Sequence, residues 1–274
     1  MVLFDTYVIN MDSQKSRWEA QSKALDGIGI NPIRIPGVLI TDQDASGYID
    51  DNFTKFCKYT CPYSAIGITA SHKKACSEFL KTDNSVALIL EDDAYPLFDD
   101  VEILDQYLMS LPPADSWDMW SLHCDIKCSS NKLDLVKNTS AAAYFISRIG
   151  AERVLNYKFP YHYDIVSTFH FKKRVAERNF FWTDERSIKA GPNDVSTNRQ
   201  TNRFNHENPI NKWISKKLIS RGEKDVIDIL EYKIIRIPFT NITLSYINLV
   251  VYIIIIAYAC YYVWHVRPIS LRAS

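Results

Sequence analysis

Apolar positions in this chain fall into two kinds of run: short unbroken stretches, and longer ones that repeat at helical spacing. Val86 to Leu90 is apolar without a polar break, which fits a strand buried on both faces. Leu3 to Ile9 reads as an earlier strand. A helix capped by Asp12 or Ser13 follows it to about Leu25, with Trp18, Gln21 and Leu25 turned inward, and Gly27 and Gly29 end it. Ile33 to Ile35 is a second short strand before Pro36-Gly37. Tyr63 to Leu80 repeats as a helix, with Ile66, Ala70, Ala75 and Phe79 inward. Pro96 to Leu111 is acidic and partly helical. Trp117 to His123, Ser140 to Ser147 and Phe180 to Thr183 read as strands, and Arg148 to Tyr157 as a helix. The small residues of SAAAYFIS let another backbone approach closely and set that strand near the middle of a sheet. Residues 38–62, 161–164 and 191–205 read as loops. Strands alternating with helices imply an α/β protein with a mostly parallel sheet flanked by helices.

The C-terminal pattern is different. Ile242 to Trp264 is 23 residues without a charge. As a helix it would measure about 35 Å, against a hydrocarbon core of roughly 30 Å. Tyr258, Tyr261, Tyr262 and Trp264 cluster at its far end, as an interfacial aromatic belt does. Before it, Trp213, Ile214, Leu218 and Ile219 recur at helical spacing among Lys212, Lys216, Lys217 and Arg221. That basic amphipathic segment fits either an anionic lipid surface or packing on its own domain. The expected division is a globular domain over residues 1–205, a juxtamembrane segment over 206–241, a C-terminal transmembrane helix over 242–264 and a short tail over 265–274. Met1 to Asn10 lacks the basic lead and apolar core of a secretory signal. The expectation is therefore a single-pass, C-terminally anchored membrane protein whose globular domain lies in the cytoplasm. Sequons at Asn52, Asn138 and Asn241 matter only if that domain is lumenal.

Composition narrows the picture. Hydrophobic residues make up 47% and charged residues 23%, with a net charge of zero, which favours a packed core over disorder. Neutrality removes the basic excess that a nucleic-acid partner would need. Six cysteines in a chain this long do not look like a disulfide scaffold. Cys57/Cys61 and Cys124/Cys128 form two Cys-x3-Cys pairs, open to a zinc site, a redox pair or ordinary reduced thiols.

The candidate chemistry sits at Glu91, Asp92 and Asp93, three adjacent carboxylates ending the Val86 run. Ligands of open α/β sheets bind outside the carboxyl ends of the strands. Unpaired carboxylates are costly to bury, and Mg²⁺ or Mn²⁺ relieves that cost. The plain alternative is an acidic strand end facing water. The turn after the first strand holds Asn10, Asp12, Lys15 and Arg17 but no Gly-x-Gly-x-x-Gly. Lys15 or Arg17 with helix-terminal amides suits a phosphate. His72, in Ser71-His72, is more simply a structural hydrogen-bond partner than a base.

Six segments in order resemble glycosyltransferase family 25, which includes lipopolysaccharide-type glycosyltransferases and procollagen galactosyltransferases. YVINMDSQKSRW resembles the family's opening strand and following Arg, SAIGITASHKKA its Gly-x-x-x-Ser-His helix, and VALILEDDAYP its Leu-Ile-Leu-Glu-Asp-Asp signature. SWDMWSLHC is similar to its Trp-Asp strand, TSAAAYFISRIGAERVL to its Ala-Tyr-x-Ile-Ser-x-x-Gly-Ala segment, and YHYDI to its later Asp-bearing segment. Ile68-Thr69 departs from the family's usual pair, and the apolar tail lies outside the resemblance. What it implies is a GT-A-like fold, a nucleotide-sugar donor and Mn²⁺ (or Mg²⁺). Asn10, Asp12, Arg17, Ser71, Glu91 and Asp92 would then serve the donor, Asp93 with Glu91 the metal, and Asp164 and His72 catalysis. Asp194 or His206 would add a metal or phosphate contact. The expected activity is transfer of a hexose, galactose being the named case, to a glycan, lipid-linked or protein acceptor. A membrane-anchored binding protein that keeps the fold without turnover is the alternative. A metal-dependent phosphotransferase or hydrolase would share the acidic strand end but not the other segments.

Overall fold

The structure, a computed structural model, describes residues 3–40, 51–124, 128, 140–183, 233–236 and 243–261. The chain forms two compact units, Met1–Lys58 with Tyr63–Ser196, and Tyr59–Pro62 with Thr197–Ser274.

In the first unit, β1 (Asp5–Asn10) leads through α1 (Lys15–Asp26) to β2 (Ile33–Pro36). Helices α2 (Lys55–Thr60) and α3 (Tyr63–Phe79) precede β3 (Val86–Glu91) and β4 (Ala94–Pro96). Next come α4 (Glu102–Ser110), β5 (Met119–Ser121), β6 (Ala143–Ser147), α5 (Arg148–Asn156), α6 (Tyr163–His170), β7 (Lys173–Val175) and β8 (Phe181–Thr183). Six of these strands form one sheet in the order β2-β1-β3-β6-β5-β7, and β4 pairs with β8 separately. β1 runs parallel to both β2 and β3, and β5 parallel to β7, while β6 runs against β3 and β5. The sheet is thus mostly parallel with one reversed strand, as the alternation of elements predicts. β6 lies between β3 and β5, the central position expected, although of the run's small residues only Ala143 and Ser147 fall within the strand.

Val86 to Leu90 are all buried in the middle of this sheet, so the unbroken apolar run is explained by cover on both faces. Phe4, Val8, Leu25, Leu88, Leu90, Trp117, Phe145 and Phe181 belong to one core cluster.

Several local expectations are corrected. Helix α1 has Gln14 at its N-cap, with no side-chain cap bond. Asp12 is drawn instead to Arg34, 2.7 Å away. The stretch 38–62 contains α2 and is not all loop. Of the Tyr161–Asp164 stretch, Tyr163 and Asp164 already belong to α6 and only Tyr161 and His162 precede it: the His162 ring Nδ1 accepts the Asp164 amide at 3.2 Å, a cap outside the usual Ser, Thr, Asp and Asn. The strand expected from Trp117 to His123 narrows to Met119–Ser121. The loop at 191–205, Asp194, His206 and the basic stretch at 208–232 lie outside the described residues.

Asp118 organises the end of the sheet opposite the acidic turn. Its buried carboxylate takes Arg153 at 2.9 Å through both oxygens and the Lys172 amide at 2.8 Å. Ser147 caps α5 by accepting the Gly150 amide at 3.1 Å and donates to the Trp117 carbonyl at 2.7 Å. A Cβ at Gly150 would fall inside contact distance of the Asp118 carbonyl. That close approach accounts for glycine in the helix's first turn.

The cysteines also differ from expectation. Cys124 and Cys128 are disulfide-bonded, with Cα atoms 5.3 Å apart. Cys57 and Cys61 are each in a disulfide bond too, and Cys76 and Cys260 are free.

In the second unit, β9 (Lys233–Arg236) pairs antiparallel with β10 (Thr243–Ser245), followed by α7 (Tyr246–Tyr261). A transmembrane helix is expected from Ile242; the helix observed there begins only at Tyr246, because Thr243 to Ser245 are committed to strand pairing. The 16 residues of α7 measure about 24 Å at 1.5 Å per residue. No helix among the described residues is long and apolar enough to cross a membrane. Val250, Tyr252 and Ile253 to Ile256 on α7 are all exposed.

Candidate active site at the carboxyl ends of β1 and β3

The chain goes from β1 to β2 on one side of the sheet and then returns to β3 on the other. The order reverses there, and the crevice between the carboxyl ends of β1 and β3 is where open α/β sheets bind ligands. Ile9 pairs with Glu91 at that edge, so Asn10 and the acidic turn Glu91-Asp92-Asp93 leave the sheet side by side.

Arg17, in the first turn of α1, lies 3.0 Å from Asp92 Oδ1 and 3.0 Å from Asp93 Oδ2. Burial works against its charge, but Asp92 and Asp93 outweigh this and hold the guanidinium more firmly protonated than usual. The Asn10 amide donates to Asp92 Oδ2 at 2.7 Å and to the Gln14 carbonyl at 2.9 Å. Arg34 on β2 donates to Asn10 Oδ1 at 2.8 Å and to Asp12 at 2.7 Å. The result is a chain of contacts, Asp12–Arg34–Asn10–Asp92–Arg17–Asp93. Burial raises the pKa of Asp92 even with Arg17 and Asn10 beside it. Gln21 fixes the turn from below: its amide donates to the Glu91 carbonyl at 2.7 Å and the Ala94 carbonyl at 2.8 Å.

Glu91 faces a second, aromatic group. His72 on α3 is buried, with Nε2 3.4 Å from Glu91 Oε1 and Nδ1 2.9 Å from the Tyr144 hydroxyl. Tyr144 meets the Tyr163 hydroxyl at 3.0 Å, and the Tyr163 ring stacks on His72 at 4.1 Å. Burial alone would raise the Glu91 pKa, but the His72 hydrogen bond, helped by the Arg17 charge, brings it below the usual value. Tyr144 and Tyr163 are pushed far above 10 by burial and stay hydroxyls. Burial brings His162 down to about 4, against the pull of Glu91, so its ring is neutral at pH 7.

The structure thus brings together Asn10, Asp12, Arg17, Asp92 and Asp93 in one network, and His72 with Glu91 in an adjoining one. Ser71 is turned elsewhere: its Oγ donates to Gly67 O at 2.8 Å and accepts the Val38 amide at 2.9 Å, which ties the chain after β2 to α3. Asp164 heads α6 with its side chain 24% exposed, 3.4 Å from His162. Sequence reasoning did not pick out Arg34, Tyr144, Tyr163 or His162 as functional candidates, and it gave Gln21 only an inward-facing position. A polar residue on an inward helical face is the one signal that could have marked Gln21.

The metal expectation meets an obstacle in this geometry. Asp92 has one oxygen on Arg17 and the other on Asn10, and Asp93 has one on Arg17. Among the described residues no three His, Cys, Asp or Glu side chains are grouped to hold a metal ion. The donor set as arranged does not fit a divalent ion without rearrangement.

Fold and site together define an α/β protein with a carboxylate–guanidinium network at the switch point of a mostly parallel sheet. No protein-family profile and no curated protein matches the sequence. Among solved structures, the chain is similar to a glycosyltransferase involved in the glycosylation of the major capsid of PBCV-1. That likeness has a TM-score of 0.38 and 10% identity, over 67% of this chain and 94% of that one. It is also similar to HddC from Yersinia pseudotuberculosis, with a TM-score of 0.36 and 14% identity, over 66% of this chain and 93% of that one. Likeness at this level says nothing about chemistry, and the case for a function rests on the crevice.

Proposed function

We propose that this chain is a glycosyltransferase that moves a hexose, with galactose as the first candidate, from a nucleotide-sugar donor to a glycan, lipid-linked or protein acceptor. One observation carries the reading. Residues from five separated segments of the family 25 resemblance meet around the end of β3: Asn10 and Arg17, His72, the Glu91–Asp93 turn, Tyr144, and Tyr163. The sixth, the Trp-Asp segment, has its Asp118 at the other end of the sheet, where it holds α5. A binding protein without turnover would have little use for three adjacent carboxylates kept beside two arginines.

In this reading the donor lies across the ends of β1 and β3. Negative charge grows on the diphosphate as the glycosidic bond breaks, and preorganised cations nearby lower that barrier. Arg17 and Arg34 are the chain's own cations there. Asn10 and Gln21 hold the acidic turn in register. His72 acts through Glu91 as a positioning residue, and Asp164 is the candidate to take the acceptor's proton. Mn²⁺ or Mg²⁺ would add charge stabilisation only where Arg17 gives up its carboxylates, and no step here passes through it. The test is a panel of nucleotide sugars offered with and without Mn²⁺ and scored for donor hydrolysis and binding. At least one donor is expected to turn over; if none binds or turns over, the glycosyltransferase reading fails.

Membrane attachment is part of the proposal, supported by the exposed apolar surface of α7. Four disulfide-bonded cysteines favour an oxidising compartment over the cytoplasmic face that the sequence suggests. In cells, the full chain is expected to stay with membranes through a carbonate wash, and its first unit to resist protease in sealed microsomes. Extraction by carbonate would remove the attachment, and digestion would return the domain to the cytoplasmic side.

A further inference from the structure

We propose that Arg17 is the resident cation of the acidic turn, and that a divalent ion must compete with it for Asp92 and Asp93. One guanidinium nitrogen stands 3.0 Å from an oxygen of each carboxylate. Arg17 takes one oxygen of each carboxylate, so a cation lying between Asp92 and Asp93 would have to share them with it or sit close against its charge. All three side chains are largely shielded from solvent, at 13%, 11% and 20% exposure, so the pairing is little weakened by water or salt.

The rest of the network keeps Asp92 from turning away. Its second oxygen accepts from the Asn10 amide, and Arg34 holds the Asn10 oxygen, so the amide cannot flip without losing that bond. Gln21 pins the turn at both carbonyls. A guanidinium cannot shed its charge by deprotonation. It can make way for a dication only by moving, and while it stays the two positive charges repel across a few ångströms of partly dry protein. Arg17 therefore sets how tightly the turn takes a metal. Once displaced by one, it is released beside the crevice with its charge free for an anion.

The experiment is a Mn²⁺ titration of the full chain, read from the loss of the free-Mn²⁺ EPR signal, with circular dichroism to check folding. No nucleotide sugar is present, so the result stands whether or not donor turnover is found. Arg17→Gln is expected to bind Mn²⁺ about tenfold more tightly than wild type, equivalent to ~1.4 kcal/mol. Adding Asp93→Asn to that variant should abolish the gain. Should Arg17→Gln fail to fold, Arg17→Lys carries the test. Its single, strongly hydrated ammonium bridges two carboxylates less firmly, and a gain of roughly threefold is expected. Affinity equal to or weaker than wild type in the folded variant overturns the proposal, as does a gain that survives Asp93→Asn.

Discussion

Asp93→Asn should reduce donor turnover by about 100-fold or more, the range seen when one preorganised electrostatic group is removed from an active site. The substitution is nearly isosteric, and it takes a negative charge from the Arg17 nitrogen that now spans Asp92 and Asp93. Arg17 would then rest on Asp92 alone. The turn would hold Arg17 more weakly and lose a carboxylate that a metal would require. Steady-state rates with the best donor from the panel measure the effect. Asp99→Asn, on the exposed loop beyond β4, serves as control and should stay near wild type. If Asp93→Asn keeps turnover within about threefold, less than ~1 kcal/mol of barrier, the chemistry is not at this turn.

Asp118→Ala should cost the first unit about 3 kcal/mol of stability. Removing a buried acceptor strands the Lys172 amide and releases Arg153. Arg153 is half exposed and can be rehydrated, which keeps the cost at the lower end for a buried pair. For a unit of this size the melting temperature should fall by roughly 6–12 °C. Donor binding at the folded temperature should survive, because Asp118 anchors the sheet at the end away from the acidic turn. A melting temperature within about 2 °C of wild type would mean that the Arg153 and Lys172 contacts contribute little. Lost donor binding in a folded protein would mean that the two ends of the sheet are coupled.

The contrast between Asp93 and Asp118 shows what a linear motif conveys. Both are acidic residues in short segments that resemble one family, and nothing in their neighbours says which faces a ligand. Strand register separates them: Val86 pairs with Ser147 at one end of β3, and Ile9 pairs with Glu91 at the other. His72 is a similar case. Its neighbours on the sequence mark a helix, but only the packing of α3 against β6 and α6 makes it a buried bridge between Glu91 and Tyr144.

The sequence by itself determined most strands and helices around the site, the central strand β3 and its acidic end, because burial on two faces leaves an unbroken apolar run and a strand end does not. Elements α2, α6, β4 and β7 were not legible in it. It could not decide the partners. Arg17 reaches Asp92 and Asp93 from 75 and 76 residues away, and Gln21 reaches Glu91 from 70 away. Such contacts depend on strand order, not on local spacing. Nor could it show that Thr243 to Ser245 would join a strand pair and delay the start of α7, or that Cys124 and Cys128 would close on each other. Each of those outcomes depends on which groups the fold brings within bonding distance.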